Sequence, residues 1–125
     1  MQSLTTSLIQ SELFWEDTDA NLHMLEAKID SIQQKTELIL LPEMFSTGFS
    51  MDAEKLAEDM DGKTVNWMRE LSGEKRAAIA GSMIIREDGH YFNRLILMLP
   101  NGEFYAYDKR HLFSYAGEQN VFSRG

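Results

Sequence analysis

The chain has 125 residues, with 12 Lys+Arg against 20 Asp+Glu for a formal net charge of −8, 43% apolar residues, 8 Gly, 2 Pro and no Cys. That length suits one domain able to bury roughly two-thirds of its unfolded surface, and the apolar content with so little Pro and Gly excludes a disordered chain or linker. The acidic balance argues against non-specific nucleic-acid binding, which needs clustered Lys and Arg, and without cysteine these residues supply no disulfide, thiolate metal site or cysteine nucleophile.

No apolar run, Leu38 to Pro42 among them, exceeds about a third of a membrane span, so no membrane association is expected. Met1 leads into a polar stretch without the basic and apolar regions of a secretory signal, which makes the cytoplasm the expected location.

Leu4 to Gln10 reads as a first strand with apolar or small residues on both sides, the pattern of a buried strand. Phe14 and Trp15 follow in a loop. Asp17 or Thr18 can cap a helix running to about Gln34, with Leu22, Leu25, Ile29 and Ile32 in one apolar stripe. Glu37 to Leu41 is a short apolar strand of the kind a parallel sheet buries, ended by Pro42. A loop spans Glu43 to Ser50, and the acidic stretch Asp52 to Gly62 reads as surface. A second helix is predicted from Lys63 to about Lys75, with Val65, Met68 and Leu71 on one face.

Three hairpin-linked strands then follow: Ala77 to Ile85 with a Gly-Ser pair, Tyr91 to Leu99, and Phe104 to His111, whose pattern allows continuation to Phe113. Glu87-Asp88-Gly89 and Pro100-Asn101-Gly102 are the turns between them, with His90 placed in the first. The predicted order is β-α-β-α-β-β-β, an α/β fold with helices on one side of a sheet and its other face bare.

Three residues are candidates for chemistry. Glu43 follows the apolar strand, and in open α/β sheets ligands bind beyond the carboxyl ends of the strands. A carboxylate there, near Phe45 and Phe49, can serve as a general base; the alternative is a strand-end glutamate in a local salt bridge. Lys109 shares a strand face with Tyr105, Tyr107 and His111. It can pair with a carboxylate or stabilise an oxyanion, or lie along a strand edge with its ammonium in water. Glu118, in Tyr115-Ala-Gly-Glu, is a third carboxylate, for which composition alone suggests a solvated loop. His111 is a base, a ligand or a structural histidine. His23 lies off the apolar stripe, and no phosphate-binding, dinucleotide-binding or zinc motif is present.

Taken together, LLPEMFSTGF at 40–49 and YDKRHLFSYAGE at 107–118 resemble the nitrilase superfamily of carbon–nitrogen hydrolases. The intervening GSMIIREDGHYFNRLILMLPNGEFYAYDKRHLF has the family's pattern of an Asn-Arg strand, a Gly turn and a lysine strand. The nearest likeness is to the omega-amidase branch, which hydrolyses monoamides of short dicarboxylates and related 2-oxo amides. The resemblance implies a four-layer αββα sandwich, with residues 1–125 as the N-terminal part of a single hydrolase domain whose C-terminal half is absent from this sequence. It implies a catalytic set in which Glu43 is the general base, Lys109 steadies the transition state and Glu118 is a second glutamate beside the site. The family's nucleophilic Cys lies further along than Gly125, so these residues alone are expected to be inactive. The substrate implied is a small-molecule amide, the implied assembly is a homo-oligomer, and no metal or organic cofactor is implied. The competing expectation is a truncated, non-catalytic half-domain acting only in association, with a binding module lacking turnover as a third.

Overall fold

A computed structural model describes residues 3–110 and 118–125. Five strands form one sheet in the order β1-β2-β3-β4-β5. They are β1 (Thr6–Leu8), β2 (Leu38–Leu40), β3 (Ala78–Glu87), β4 (His90–Met98) and β5 (Phe104–Asp108). β1, β2 and β3 run parallel, while β4 and β5 are added antiparallel through the two predicted hairpins. The helices are α1 (Thr18–Asp30), α2 (Ala53–Leu56), α3 (Lys63–Lys75) and α4 (Glu118–Val121).

The predicted stripes are what bury. Leu22, Leu25 and Ile29 of α1 and Val65, Met68 and Leu71 of α3 form one cluster with Ile39, Ile79, Met83, Ile96 and Met98 of the sheet. Asp17 caps α1, its Oδ1 accepting from the Ala20 backbone N–H at 3.1 Å. The helix stops at Asp30 rather than Gln34; at its end the Ser31 hydroxyl donates to the Lys28 carbonyl at 2.6 Å, a local bond that competes with the helical ladder.

On the opposite face, register aligns Leu8, Leu40, Ala80, Leu97 and Tyr105 in one row, with Leu95 beside Tyr107 in the next. No described helix covers these side chains, and Leu8, Leu95, Tyr105 and Tyr107 are exposed. This revises the reading of the first strand. It is short, it lies at the sheet edge, and Leu8 is 61% exposed because it points to the uncovered face.

Three other expectations change. The Asp52 to Gly62 stretch is not simply surface: Ala53 is buried in α2, and Glu58 bridges to Ile85 of β3. Glu58 also caps α3, accepting from the Thr64 N–H at 2.9 Å and from its hydroxyl at 2.5 Å. His90 opens β4 rather than sitting in the turn. β5 ends at Asp108, though the Lys109 N–H still donates to the Asn93 carbonyl at 2.9 Å. The predicted extension through His111 to Phe113 lies outside the described residues, as does the start of the Tyr115-Ala-Gly-Glu motif.

A buried cation fixes the end of β5. Arg94 grips Asp108 with two hydrogen bonds, Nε to Oδ1 at 2.6 Å and Nη2 to Oδ2 at 3.0 Å, and Nη1 reaches Glu87 Oε1 at 3.2 Å. The carboxylates hold the Arg94 guanidinium well above its ordinary pKa: the Asp108 hydrogen bond is the largest cause, burial opposes it, and Glu87 adds to it. Adjacent residues on a strand face opposite ways, so Arg94 and Asp108 lock one face while Asn93 and the following Lys109 serve the other.

Candidate active site

The loop after β2 delivers Glu43, and a Gly-Ser pair on β3 sets its course. Phe45 is fully buried and lies against Gly81, where a Cβ would fall 2.6 Å from its ring; any side chain there would displace it. Ser82 supplies its hydroxyl to the Met44 N–H at 2.9 Å and its carbonyl to the Phe45 N–H at 3.2 Å. Met44 takes a left-handed backbone with φ of 50°, a conformation costly for a non-glycine residue and held here by those bonds. The chain thus turns sharply at the carboxyl end of the parallel strands, and Glu43 projects over the uncovered face.

The three predicted residues meet there. Lys109 Nζ donates to Glu43 Oε1 at 3.1 Å and pairs with Glu118 Oε1 at 3.1 Å. It also lies 5.5 Å from the Phe49 ring centroid, a cation–π distance. Glu118 comes back to the site on α4, which Phe122 anchors by packing with Met44, Ala53 and Ile84. Glu118 is fully buried, in contrast to the solvated loop that composition suggests. Lys109 is shielded by Phe49 and the two carboxylates, while Tyr105 and Tyr107 of β5 are exposed.

Sequence reasoning missed Asn93. Its side-chain amide donates to Glu43 Oε1 at 3.0 Å and to Glu118 Oε2 at 3.1 Å. The one available signal was its place in the Asn-Arg pair of the fourth predicted strand, Tyr91 to Leu99, beside a lysine strand. Among the described residues, Glu43 Oε2 has no hydrogen-bond partner, and the Glu43 side chain is 47% exposed.

Glu43, Asn93 and Lys109 lie on an open cavity of about 430 Å³ whose wall is mostly apolar, with Leu8, Leu40, Ala80 and Leu95 beside Ser82 and Tyr107. A largely apolar hollow with a few converging polar groups suits a small organic molecule. No group of three or more potential metal-binding side chains occurs among the described residues, and none of their helices is long and apolar enough to cross a membrane. His23 is exposed on α1, and His90 is close only to the Ser123 hydroxyl, at 3.4 Å from Nδ1.

Burial is the largest single influence on Lys109 and pushes its pKa down. The hydrogen bonds and charges of Glu43 and Glu118 together outweigh burial, so the pKa lies above the ordinary 10.5. Lys109 therefore stays an ammonium, able to hold a developing negative charge. A raised lysine pKa stabilises the fold fully below 10.5, and that contribution is lost as pH rises through the higher folded-state value. In the full-length polypeptide, Lys109→Met is expected to flatten part of the fall in melting temperature above pH 10.5. Identical alkaline declines in both proteins would contradict the pairing.

The carbon–nitrogen hydrolase family model matches residues 5–125. The chain is 39% identical over 125 residues to omega-amidase YafV of Yersinia enterocolitica, covering 100% of this chain and 48% of that protein. It is 38% identical over 127 residues to omega-amidase YafV of Escherichia coli K12, again covering 48% of the relative. Its fold superposes with a TM-score of 0.95 and 39% identity on XC1258 of Xanthomonas campestris, a CN-hydrolase superfamily protein whose structure carries an arsenic adduct in the active site; the match covers 100% of this chain and 47% of that one. The chain thus spans about half the length of these relatives. With the mixed α/β fold matched as well, the chain belongs to the carbon–nitrogen hydrolase family.

Proposed function

We propose that residues 1–125 are the N-terminal part of a single carbon–nitrogen hydrolase domain that converts a small carboxylic or 2-oxo acid amide to the acid and ammonia. The reaction runs through a cysteine thioester, with the cysteine outside these residues. The observation that carries the reading is the joining of Glu43, Lys109 and Glu118 within hydrogen-bond reach at the mouth of an apolar hollow. The likeness to the omega-amidases supports the substrate class.

In this mechanism Glu43 takes the proton of the cysteine thiol, and the thiolate attacks the amide carbonyl carbon. The carbonyl oxygen becomes an oxyanion beside the Lys109 ammonium. Glu43 returns the proton to the amide nitrogen, the C–N bond breaks and ammonia leaves a thioester. A water then loses a proton to Glu43 and attacks the thioester. The acid departs and the cysteine sulfur regains the proton. Glu118 keeps Lys109 charged and aimed throughout. The uncovered sheet face supports a second layer supplied by the remainder of the domain.

The same bare face is what favours a second reading, a non-catalytic half-domain that acts only by association. Incubating the full-length polypeptide with short dicarboxylate monoamides and following ammonia and free acid separates the two. Equal molar release of both products is expected, and no release from any monoamide favours the association reading.

A further inference from the structure

Asn93 has no part in the bond-making above, yet the cluster is assembled around it. Its side-chain nitrogen donates to Glu43 Oε1 at 3.0 Å and to Glu118 Oε2 at 3.1 Å, and its backbone carbonyl accepts from the Lys109 N–H at 2.9 Å. Carboxylates only accept, so the amide nitrogen and not the oxygen must face them, and both N–H bonds are used. The residue is buried, and among the described residues its Oδ1 has no hydrogen-bond partner. An unpaired buried acceptor costs roughly 1–3 kcal/mol. A residue selected for stability alone would not leave one there; such violations gather where a group is held for use.

The contacts also distinguish the two glutamates. Glu118 has both oxygens engaged, Oε1 by Lys109 and Oε2 by Asn93. Glu43 has Lys109 and Asn93 on the same oxygen, Oε1. Lysine cannot impose this alone, because its ammonium is a rotatable charge with three equivalent donors on a flexible stem. The amide of Asn93 is planar, and its two N–H bonds diverge in one plane, so it fixes the carboxylates relative to each other.

We infer that Asn93 is a positioning residue that pins Glu43 by one oxygen, leaves Oε2 to carry protons, and locks Glu118 out of proton transfer. This inference rests on the amide-hydrolase reading, in which Glu43 is the base. Other residues at 93 fit less well: aspartate has no donor when ionised and adds a third negative charge, and a serine hydroxyl has one donor for two carboxylates.

The test uses the full-length enzyme carrying Asn93→Leu, with Asn93→Ser as the milder change should the leucine variant not fold. Assays follow monoamide hydrolysis, with Glu43→Gln as the control. A misplacement near 1 Å costs about 100-fold in rate, so kcat of Asn93→Leu is expected to fall about that far with KM little changed, and Asn93→Ser to fall between it and wild type. An unchanged kcat with only a lowered melting temperature would overturn the inference, as would a loss confined to KM. A wild type without amidase activity, or a fully active Glu43→Gln, defeats the functional reading instead. Crystal structures of the variant then decide the positioning claim without activity: Glu43 and Glu118 displaced from Lys109 support it, and both carboxylates in place to within about 0.5 Å overturn it.

Discussion

Glu43→Gln in the full-length enzyme is expected to lower kcat for amide hydrolysis by about 1,000-fold, within the range that a positioned general base contributes. The substitution keeps the shape of the side chain and removes its ability to take a proton. Lys109→Met is expected to cost about 100-fold or more, the loss found when one donor to a developing oxyanion is removed. Lys109 bridges both carboxylates, so its removal also leaves the fully buried Glu118 without its cation. The residues act as a unit, and the double variant should be barely worse than the poorer single one. Steady-state ammonia release checks all three, and a Glu43→Gln enzyme within tenfold of wild type would remove Glu43 from the proton path.

The second large effect concerns stability. Phe45 is fully buried, its ring centroid is 5.8 Å from that of Trp67 on α3, and it fills the space that Gly81 leaves open. Phe45→Ala is expected to destabilise the full-length fold by about 3–5 kcal/mol, from lost burial and the cavity left behind. The readout is the urea midpoint, shifted with its slope unchanged. Phe45 also anchors the loop two residues past Glu43, so kcat should fall in the folded variant. Gly81→Ala should destabilise the wild type by about 1–3 kcal/mol, because the new Cβ meets the Phe45 ring. In the Phe45→Ala background the same change should cost little, since the obstacle is gone. A Phe45→Ala loss under about 1 kcal/mol would mean that the loop is held by something else.

These two predictions draw on features of unequal legibility in the sequence. The stripes of α1 and α3, the buried run at Leu38–Leu40 and both hairpin turns are local patterns, and the structure has them near the expected places. Glu43 and Lys109 were marked by strand ends and by paired motifs, and they do touch. The exposure of Leu8 was not legible, because its composition is that of a buried strand and only the missing layer decides which side stays open. Burial of Glu118 depends on Phe122 drawing α4 back against Met44 and Ile84, a long-range contact without a local signature. Asn93 was hidden for the same reason: its two carboxylate partners stand 50 and 25 residues away in sequence. The Gly-Ser pair was visible as a pair, but its two tasks, making room for Phe45 and holding Met44, appear only once the loop is laid across β3.

The proposed mechanism has Glu43, Lys109 and Glu118 serve a cysteine located outside residues 1–125. Its most direct test is intact-protein and peptide mass spectrometry of the full-length enzyme, acid-quenched during turnover of a monoamide. A covalent acyl adduct, with the mass of the substrate less ammonia, is expected on a cysteine beyond Gly125. Turnover with no adduct on any cysteine, or an adduct on a side chain within residues 1–125, would contradict it.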